Sequence, residues 1–314
     1  MHVRVLGAAA GGGFPQWNCS CSNCRRLRQG SLHGAPRSQA QLAISADGED
    51  WFLLNASPDL RYQIESFPSL HPRPATVRHS PINGVVLTSA ELDAALGLLL
   101  LRESQPLIVY ATDAVRQLLV DDNNFFGVLR RRPDQVEWRS ITPGVPFELK
   151  SIRGTATSIR CTAVSTGGTF PGHVPPQRAR GLDPSGAVIG LFIEHAARRI
   201  AFFPGARTVE PEWLKQMSDC DAIFFDGTFW SDDELIRLQD HGSESQAKTA
   251  RQMGHSPVFG PRGTLEKFST LNGHRKIFIH INNTNPMLDE DSPEYRYARS
   301  SGWELAFDGM ELSL

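Results

Sequence analysis

Short apolar runs separated by turn residues recur along this chain and predict a succession of β-strands. Two of the runs flank Asp47-Gly48, a pair typical of a β-hairpin turn. In the first half the predicted strands are His2–Leu6, Gln41–Ser45, Trp51–Asn55, Ile82–Leu87 and Leu107–Tyr110. In the second half they are Ile159–Val164, Val188–Glu194, Arg199–Phe203, Ala222–Phe225 and Ile277–Ile281, with the second and third of these forming another hairpin.

Helix signals follow several of these strands. Thr88-Ser89-Ala90-Glu91 has the spacing of a capping box and predicts a helix that ends near Glu103. The segment from Ser231 to Glu234 has the same spacing, and Asp113–Val120 is predicted to be a short helix. Ser292-Pro293 predicts the start of a helix that ends near Gly302.

Antiparallel-type strands followed by helices occur in both halves of the chain. This order predicts an α/β protein built as a four-layer αββα sandwich, with two sheets inside and helices outside. No composition shift marks a linker, so residues 1–314 are expected to form a single domain.

The composition narrows the range of partners. The chain has 314 residues, 40% of them hydrophobic and 21% charged, and a formal net charge of −2, so neither a nucleic acid nor an anionic membrane is expected as a partner. The longest apolar run, Leu96–Leu101, is too short to span a bilayer, and the N-terminus lacks a signal-peptide pattern. A cytoplasmic location is expected, and edge strands with this modest charge permit a homodimer.

Three of the five cysteines lie within six residues, at Cys19, Cys21 and Cys24. Three thiolates this close can converge on one cation, and a structural zinc is the reading that we favour over reactive surface thiols or a redox pair. Cys161 and Cys220 stand alone and are expected to be buried hydrophobic residues.

Polar groups follow the predicted core strands, where α/β folds place their sites. Glu91 and Asp93 follow one strand, Asp226 and His280 come at the ends of two others, and His255 lies beside a glycine. Each has a structural alternative: Glu91 in the capping box, Asp93 at a helix N-terminus, Asp226 in a turn, and His280 as a hydrogen-bonded core histidine. Their occurrence together favours a site.

Several motifs run in order through the whole chain, from a Gly-rich turn and cysteine run at the start to an acidic pair near the end. They are Gly11 to Cys24, Leu53 to Asp59, Asp226 to Glu234, Met253-Gly254-His255, His280 to Pro286, Leu288 to Glu294, and Asp308 to Glu311. In these motifs the chain resembles the family of coenzyme PQQ synthesis protein B, within the metallo-β-lactamase superfamily. The resemblance implies an αββα sandwich and a role in making pyrroloquinoline quinone (PQQ) from a Glu–Tyr-derived precursor.

The resemblance also exposes a departure. The superfamily metal motif, His-x-His-x-Asp-His, corresponds here to residues 89–94, which keep Asp93 but have Ala94 where the family commonly has histidine. The superfamily's bridging aspartate corresponds to Pro204-Gly205. A dinuclear zinc hydrolase is therefore not expected.

What survives fits a mononuclear site. The resemblance matches His280 to the last metal histidine of the superfamily, and Asp226 with His255 to an acid–histidine dyad able to move a proton. The family's iron-dependent hydroxylation would place Fe²⁺ at His280 and Asp93, with Asp226, His255 or His173 as further candidates. Asn283 corresponds to a fourth zinc ligand beside the cysteines, and His33 and Asp308 remain alternatives.

Two functions stay open. The first is iron- and oxygen-dependent hydroxylation of the tyrosine part of a dipeptide-like PQQ precursor. The second is a carrier that binds PQQ or its precursor and aids its transport to the periplasm, which Ala94 favours. An acidic quinone would need cations, for which Arg61, Arg178 and Arg180 are candidates by type. The Gly/Pro-rich loop Gly167–Gly186 is expected to border the pocket.

Overall fold

The computed structural model describes residues 1–74, 77–103, 105–238, 247–271 and 273–314, and its centre is a pair of β-sheets. Seven strands of the first sheet and seven of the second lie within these ranges. In chain order they are β1 His2–Gly7, β2 Gln41–Ser45, β3 Trp51–Leu54, β4 Ile82–Val86, β5 Leu107–Thr112, β6 Val136–Ile141, β7 Pro146–Lys150, β8 Ala156–Ser165, β9 Ile189–His195, β10 Arg198–Phe203, β11 Ala222–Asp226, β12 Arg275–Ile279, β13 Trp303–Leu305 and β14 Glu311–Ser313.

The first sheet has the order β14-β1-β2-β3-β4-β5-β6, and the second has the order β13-β12-β11-β10-β9-β8-β7. Both predicted hairpins are confirmed, as β2 pairs antiparallel with β3 and β9 with β10. The expected antiparallel-type strands are present in both sheets, as β14-β1-β2-β3 and β10-β9-β8-β7 pair antiparallel. The run β3 to β6 and the run β10 to β13 are parallel, because helical and loop segments separate these strands in the sequence.

The central strands are apolar on both faces because both faces are covered. Every residue of β4 and of β11 is buried, as is usual for parallel strands between two layers. The inner core joins Ile44 and Val86 of the first sheet to Leu191 and Phe224 of the second. Two outer cores lie between the sheets and the helices, which makes four layers of the αββα type.

Short helices form the outer layers. The α-helices are α1 Ser22–Arg28, α2 Leu60–Glu65, α3 Leu92–Ala95, α4 Asp113–Arg116, α5 Pro176–Arg180, α6 Pro211–Met217, α7 Glu234–Leu238, α8 Thr264–Lys267 and α9 Pro293–Ser300. A π-helical stretch, Gln117–Asp121, continues α4. The 3₁₀ segments are Pro68–Leu70, Leu96–Leu101, Asn124–Arg130, Pro184–Gly186, Arg251–Met253 and Pro286–Leu288. Ser292 caps α9 as predicted, accepting a hydrogen bond from the Tyr295 N–H.

The helix predicted from Thr88 to Glu103 is the main error in the helical layer. Residues 88–91 are not helical, α3 has only four residues, and the chain continues as a 3₁₀ helix to Leu101. The Thr88 hydroxyl donates to Asn55 Oδ1, and Glu91 makes no side-chain cap bond, so no capping box forms. The second predicted capping box also differs, because Glu234 accepts a hydrogen bond from the Trp230 N–H and itself begins α7.

One end of the sandwich collects the loops that follow β4, β11 and β12. The predicted strand at 277–281 ends at Ile279, and His280 takes a left-handed backbone conformation with φ of 59°. That change of direction turns His280 out of the strand and towards this loop cluster. Among the described residues, no helix has the length and apolar character needed to cross a bilayer.

Candidate functional site

A cavity of about 570 Å³ opens among the loops at this end of the sandwich. Three of the sequence-predicted residues, Asp93, His255 and His280, line it together with Glu91 and Ala94. Strand ends and short helices supply these side chains, so the sheets fix their positions. The Gly/Pro-rich loop borders the cavity as predicted, and it contributes Gly168, Thr169 and His173.

Asp226 forms the buried floor of the site. It ends β11, has no exposed surface, and accepts four hydrogen bonds. The N–H groups of Ala206 and Thr228 donate over 2.9 and 3.0 Å, the Thr228 hydroxyl over 2.6 Å, and His255 Nδ1 over 2.8 Å. Burial raises the pKa of Asp226, but the charge of His255 and these bonds outweigh it, so the pKa lies below its usual value. Asp226 is therefore a charged group that holds His255.

Thr228 joins both imidazole rings, and sequence reasoning gave it no role. Its Oγ1 lies 3.0 Å from His255 Nδ1 and 2.8 Å from His280 Nδ1. Because the single hydroxyl hydrogen goes to Asp226, the oxygen accepts from the rings, and each Nδ1 carries the hydrogen. The two Nε2 atoms are then left as the basic nitrogens. The only sequence signal for this was the place of Thr228 in the Asp-Gly-Thr run after β11.

His280 and Asp93 form the second polar pair of the cavity. His280 Nε2 lies 2.8 Å from Asp93 Oδ2, and both side chains are less than one-fifth exposed. Burial lowers the pKa of His280, but the hydrogen bond and charge of Asp93 outweigh it and raise the pKa. Burial raises the pKa of Asp93, and His280 more than reverses this. Since Nδ1 already carries a hydrogen, a contact this short needs either a second proton or a metal cation between the two groups.

The stretch that corresponds to the superfamily metal motif lies along one wall. Ala94 is buried and lines the cavity without offering a ligand atom. Ser89 is buried, and its hydroxyl accepts from the Glu91 N–H over 3.3 Å. Glu91 lines the cavity, where partial loss of water around its carboxyl and the negative charge of Asp93 raise its pKa. Its carboxylate makes no hydrogen bond to any described residue.

The arginines proposed to hold an acidic ligand are not in the cavity. Arg178 binds Asp122 over 2.5 Å and Gln117 over 3.0 Å, and Arg61 is exposed on α2. Arg180 lines a neighbouring cavity of about 490 Å³ beneath the Gly/Pro-rich loop. No lysine or arginine occurs among the described residues that line the main cavity.

The three clustered cysteines meet at a separate point. The Sγ atoms of Cys19, Cys21 and Cys24 lie within 4.8 Å of one another, a spacing that a single tetrahedral zinc can bridge. Burial raises the pKa of Cys21 to about 12. Burial also raises the pKa of Cys19, but hydrogen bonds from the Cys21 N–H and from neighbouring side chains bring it below its usual value. Cys161 and Cys220 are buried away from this cluster, as predicted.

The amide of Asn283 closes the cysteine cluster. Its Nδ2 lies 3.1, 3.7 and 3.4 Å from the sulfurs of Cys19, Cys21 and Cys24. Turning the amide by half a rotation would present Oδ1, the atom able to coordinate a metal. The alternatives bind elsewhere: His33 lies 3.3 Å from Asp291, and Asp308 accepts from the Ser38 N–H over 2.7 Å.

One loop links the two sites. It runs from His280 to Asn285 and carries the cavity histidine, then Asn282 on the cavity wall, then Asn283 at the cysteines. The Asn23 side chain of α1 donates to the carbonyls of Asn283 and Asn285 over 3.2 and 2.9 Å. The cysteine segment thus clamps the loop that presents His280.

Comparison with known proteins agrees with this fold. A family model described as the β-lactamase superfamily domain matches residues 50–281. Coenzyme PQQ synthesis protein B of Methylococcus capsulatus is 42% identical over 318 residues, covering all of both chains. The protein of the same name from Gluconacetobacter diazotrophicus is 43% identical over 324 residues, covering all of this chain and 99% of its own. The crystal structure of Zn(2+)-bound PqqB from Methylobacterium extorquens superposes with a TM-score of 0.89 at 38% identity, with all of both chains covered.

Proposed function

The chain belongs to the family of coenzyme PQQ synthesis protein B, within the β-lactamase superfamily, and from this premise we propose that it acts in PQQ synthesis. The reaction that we propose is hydroxylation of the tyrosine ring of a Glu–Tyr-derived precursor. Ferrous iron is the cofactor, O₂ supplies the oxygen atom, and an external reductant supplies two electrons.

The observation that carries the proposal is the donor set of the cavity. Asp93, His255 and His280 provide two imidazoles and one carboxylate, the set used by non-haem ferrous oxygenases. Asp93 Oδ2 and His280 Nε2, at 2.8 Å, are spaced as neighbouring ligands of one metal ion would be. Both rings are held through Nδ1, which leaves each Nε2 for the metal.

Asp226 fits a supporting role better than a ligand role. Its ligand atoms lie within 4.8 Å of His255 and His280, but four hydrogen bonds already use its oxygens. Replacing those bonds with a metal bond would leave buried N–H groups without acceptors, which is costly. We therefore assign Asp226 to orienting His255.

The same donor set argues against a dinuclear zinc hydrolase. Ser89 and Glu91 replace two histidines of the superfamily motif, Ala94 replaces the third, and Pro204-Gly205 stands at the bridging aspartate. Too few imidazoles are left to hold two metal ions and generate a hydroxide.

Bound iron would supply the activation of O₂. The protein's own residues orient the ring and move protons. Thr228 and Asp226 fix both imidazoles, and the Gly/Pro-rich loop covers one side of the cavity. Glu91, with its raised pKa and free carboxylate, is placed to take the proton that leaves the ring carbon.

At the second site, we propose a structural zinc held by Cys19, Cys21, Cys24 and Asn283. Three converging thiols and one amide satisfy the coordination number that zinc prefers. This ion would have no open position, so its contribution is to hold α1 against the loop after β12.

A carrier of PQQ or its precursor is the second candidate function. The observation that favours it is Ala94, which leaves the cavity without the third imidazole of the family pattern. If Asp93 and His280 share a proton rather than a metal, the cavity can bind a planar ligand without converting it.

The deciding experiment combines ferrous-loaded protein with a Glu–Tyr-containing peptide precursor, O₂ and ascorbate, followed by mass spectrometry. The hydroxylase proposal expects a product one oxygen atom heavier, which is absent for His280→Ala. Full activity in a preparation that holds only zinc would contradict the iron proposal. Tight binding of the precursor without product, in protein shown to hold iron, would favour the carrier.

A further inference from the structure

Asn282 lies on the cavity wall two residues after His280, and its backbone is fixed at both ends. Its N–H donates to the Thr228 carbonyl over 3.0 Å, and its carbonyl accepts from the Asn285 N–H over 2.9 Å. The side chain therefore has a defined starting point beside the two imidazoles.

A chain of hydrogen bonds runs from this side chain to a buried acid. Asn282 Nδ2 donates to Thr284 Oγ1 over 2.6 Å, and the Thr284 hydroxyl donates to Glu234 Oε1 over 2.5 Å. The other oxygen of Glu234 accepts from the Trp230 N–H over 2.7 Å. Glu234 is only 7% exposed, so this chain of bonds is shielded from solvent at its inner end.

The direction of these bonds follows from counting hydrogens. An ionised carboxylate can only accept, so the single hydroxyl hydrogen of Thr284 goes to Glu234. The Thr284 oxygen must then accept from Asn282, which orients the amide with Nδ2 inwards. Asn282 Oδ1 has no partner among the described residues and is not enclosed by protein, so on this cavity-lining residue it is the amide atom left for a ligand.

We propose that Asn282 is a specificity-determining residue whose carbonyl is directed by Glu234, acting through Thr284, at an N–H or O–H donor of the bound ligand. The charge of the cavity supports a donor: Asp93 and Glu91 are its acidic lining residues, and no lysine or arginine lines it among the described residues. An ammonium or amide N–H is the complementary group. That this ligand is the dipeptide-like precursor rests on the proposed function.

The arrangement reverses when Glu234 is protonated. The acid then donates to Thr284, the Thr284 hydroxyl donates to Asn282, and the amide turns to present its NH₂ group. Burial raises the pKa of Glu234 to about 7, against the lowering effect of its bonds from Thr284 and Trp230. The ligand donor would lose its acceptor as the pH falls through this value.

Other charged groups near the two ends are accounted for. On the turn before α7, Asp233 pairs with Arg237, and Asp232 accepts from the Arg251 N–H. At the cavity end, His255, His280, Asp93 and Glu91 line the same cavity as Asn282. Because these groups also titrate, variants of Glu234 are needed to separate their effects.

Glu234→Gln locks the reversed state. The Trp230 N–H requires an acceptor, so the new amide places its oxygen there and its NH₂ towards Thr284. Thr284 must then donate to Asn282 at every pH. Thr284→Val breaks the chain, and Thr284→Ser keeps the hydroxyl and serves as the matched control.

Two measurements between about pH 5.5 and pH 8.5 test the proposal. One is the NMR shift of the Asn282 side-chain amide, identified by its loss in Asn282→Asp. The other is calorimetric binding of the dipeptide Glu–Tyr. In wild type and Thr284→Ser, we expect the amide shift to titrate near pH 7 and dipeptide binding to weaken about tenfold below it, as loss of one hydrogen bond predicts.

In Glu234→Gln the amide shift should be constant and binding weak throughout. An amide shift that does not titrate in wild type, or the same binding profile in wild type and Glu234→Gln, would overturn the proposal. If the amide shift titrates as expected but the dipeptide binds neither wild type nor any variant, Glu234 does control the Asn282 amide and the proposed substrate is wrong.

Discussion

The carboxylate of Asp93 and Nε2 of His280 lie 2.8 Å apart, although 187 positions separate the two residues in sequence. Asp93 lies in α3, the short helix that follows β4 of the first sheet, and His280 in the loop after β12 of the second sheet. Their contact therefore fixes the two sheets' loops at a point where either a proton or a metal ion must sit.

Without metal, Asp93→Asn should destabilise the fold by about 2 kcal/mol at about pH 5.5 and by less at about pH 9. The raised pKa of His280 stabilises the fold below the unfolded histidine value of about 6.5, and this stabilisation is lost as the pH rises through the folded value. The lowered pKa of Asp93 stabilises the fold above the unfolded aspartate value of about 3.9, and this stabilisation is lost as the pH falls through the folded value.

Urea unfolding of chelator-treated protein at the two pH values measures this difference. Glu212→Gln, at an exposed carboxylate of α6, is the control and should shift stability little at either pH. An Asp93→Asn cost that is equal at both pH values would show that His280 carries no proton in this pair.

Ala94→His should raise the affinity of the cavity for ferrous iron by at least about tenfold, since it adds an imidazole beside Asp93. Anaerobic iron titration by calorimetry measures the affinity, and the ratio of iron to protein gives the stoichiometry. Ala94→Gln, of similar size but with a weaker ligand atom, is the control. Equal affinities in wild type and Ala94→His would mean that position 94 does not reach the metal.

Thr228→Val should weaken iron binding by about 10- to 100-fold while the chain stays folded, because both imidazoles lose the oxygen that fixes their Nδ1 atoms. Thr228→Ser retains the hydroxyl and should bind as the wild type does. Circular dichroism checks the fold, and calorimetry the affinity. Unchanged binding in Thr228→Val would place the orientation of the rings entirely with Asp226 and Asp93.

Cys24→Ser should remove the zinc and lower the thermal unfolding temperature, because α1 loses its attachment to the loop after β12. Elemental analysis and calorimetric scanning measure the two effects. Cys220→Ala changes an equally buried cysteine outside the cluster and should keep one zinc per chain. A full zinc content in Cys24→Ser would exclude the proposed ligand set.

Iron content of Cys24→Ser should also fall, since the released loop carries His280. The two sites are coupled if Cys24→Ser loses iron binding together with its zinc while Cys220→Ala keeps both. Normal iron affinity in zinc-free protein would show that the contacts of His280 with Thr228 and Asp93 hold it in place without the zinc.

Most central strands could be predicted from the sequence, because a strand that is buried on both faces has a continuous apolar run such as Ala222–Phe225. It did not reveal β6, β7, β13 and β14, all four of which lie at sheet edges where half-exposed or very short strands leave a weak pattern. The capping box predicted at Thr88 does not form, because the Thr88 hydroxyl donates instead to Asn55, which is 33 positions away in sequence.

The site residues themselves could be named from motifs, but their roles depend on distances that no local pattern encodes. The sequence predicts the pairing of Asp226 with His255, whereas the bridging role of Thr228 appears only when β11 and β12 lie side by side. The link from Asn282 to Glu234 likewise joins the loop after β12 to the start of α7, which are remote in sequence.

The loop from His280 to Asn285 has a consequence for how the protein is made. The cysteine set needs Asn283, and the cavity set needs His280, so each combines residues that precede β5 with residues that follow β12. During translation, neither set is complete until the loop after β12 has been synthesised. A product that terminates before this loop would carry the cysteines and Asp93 without Asn283 and His280.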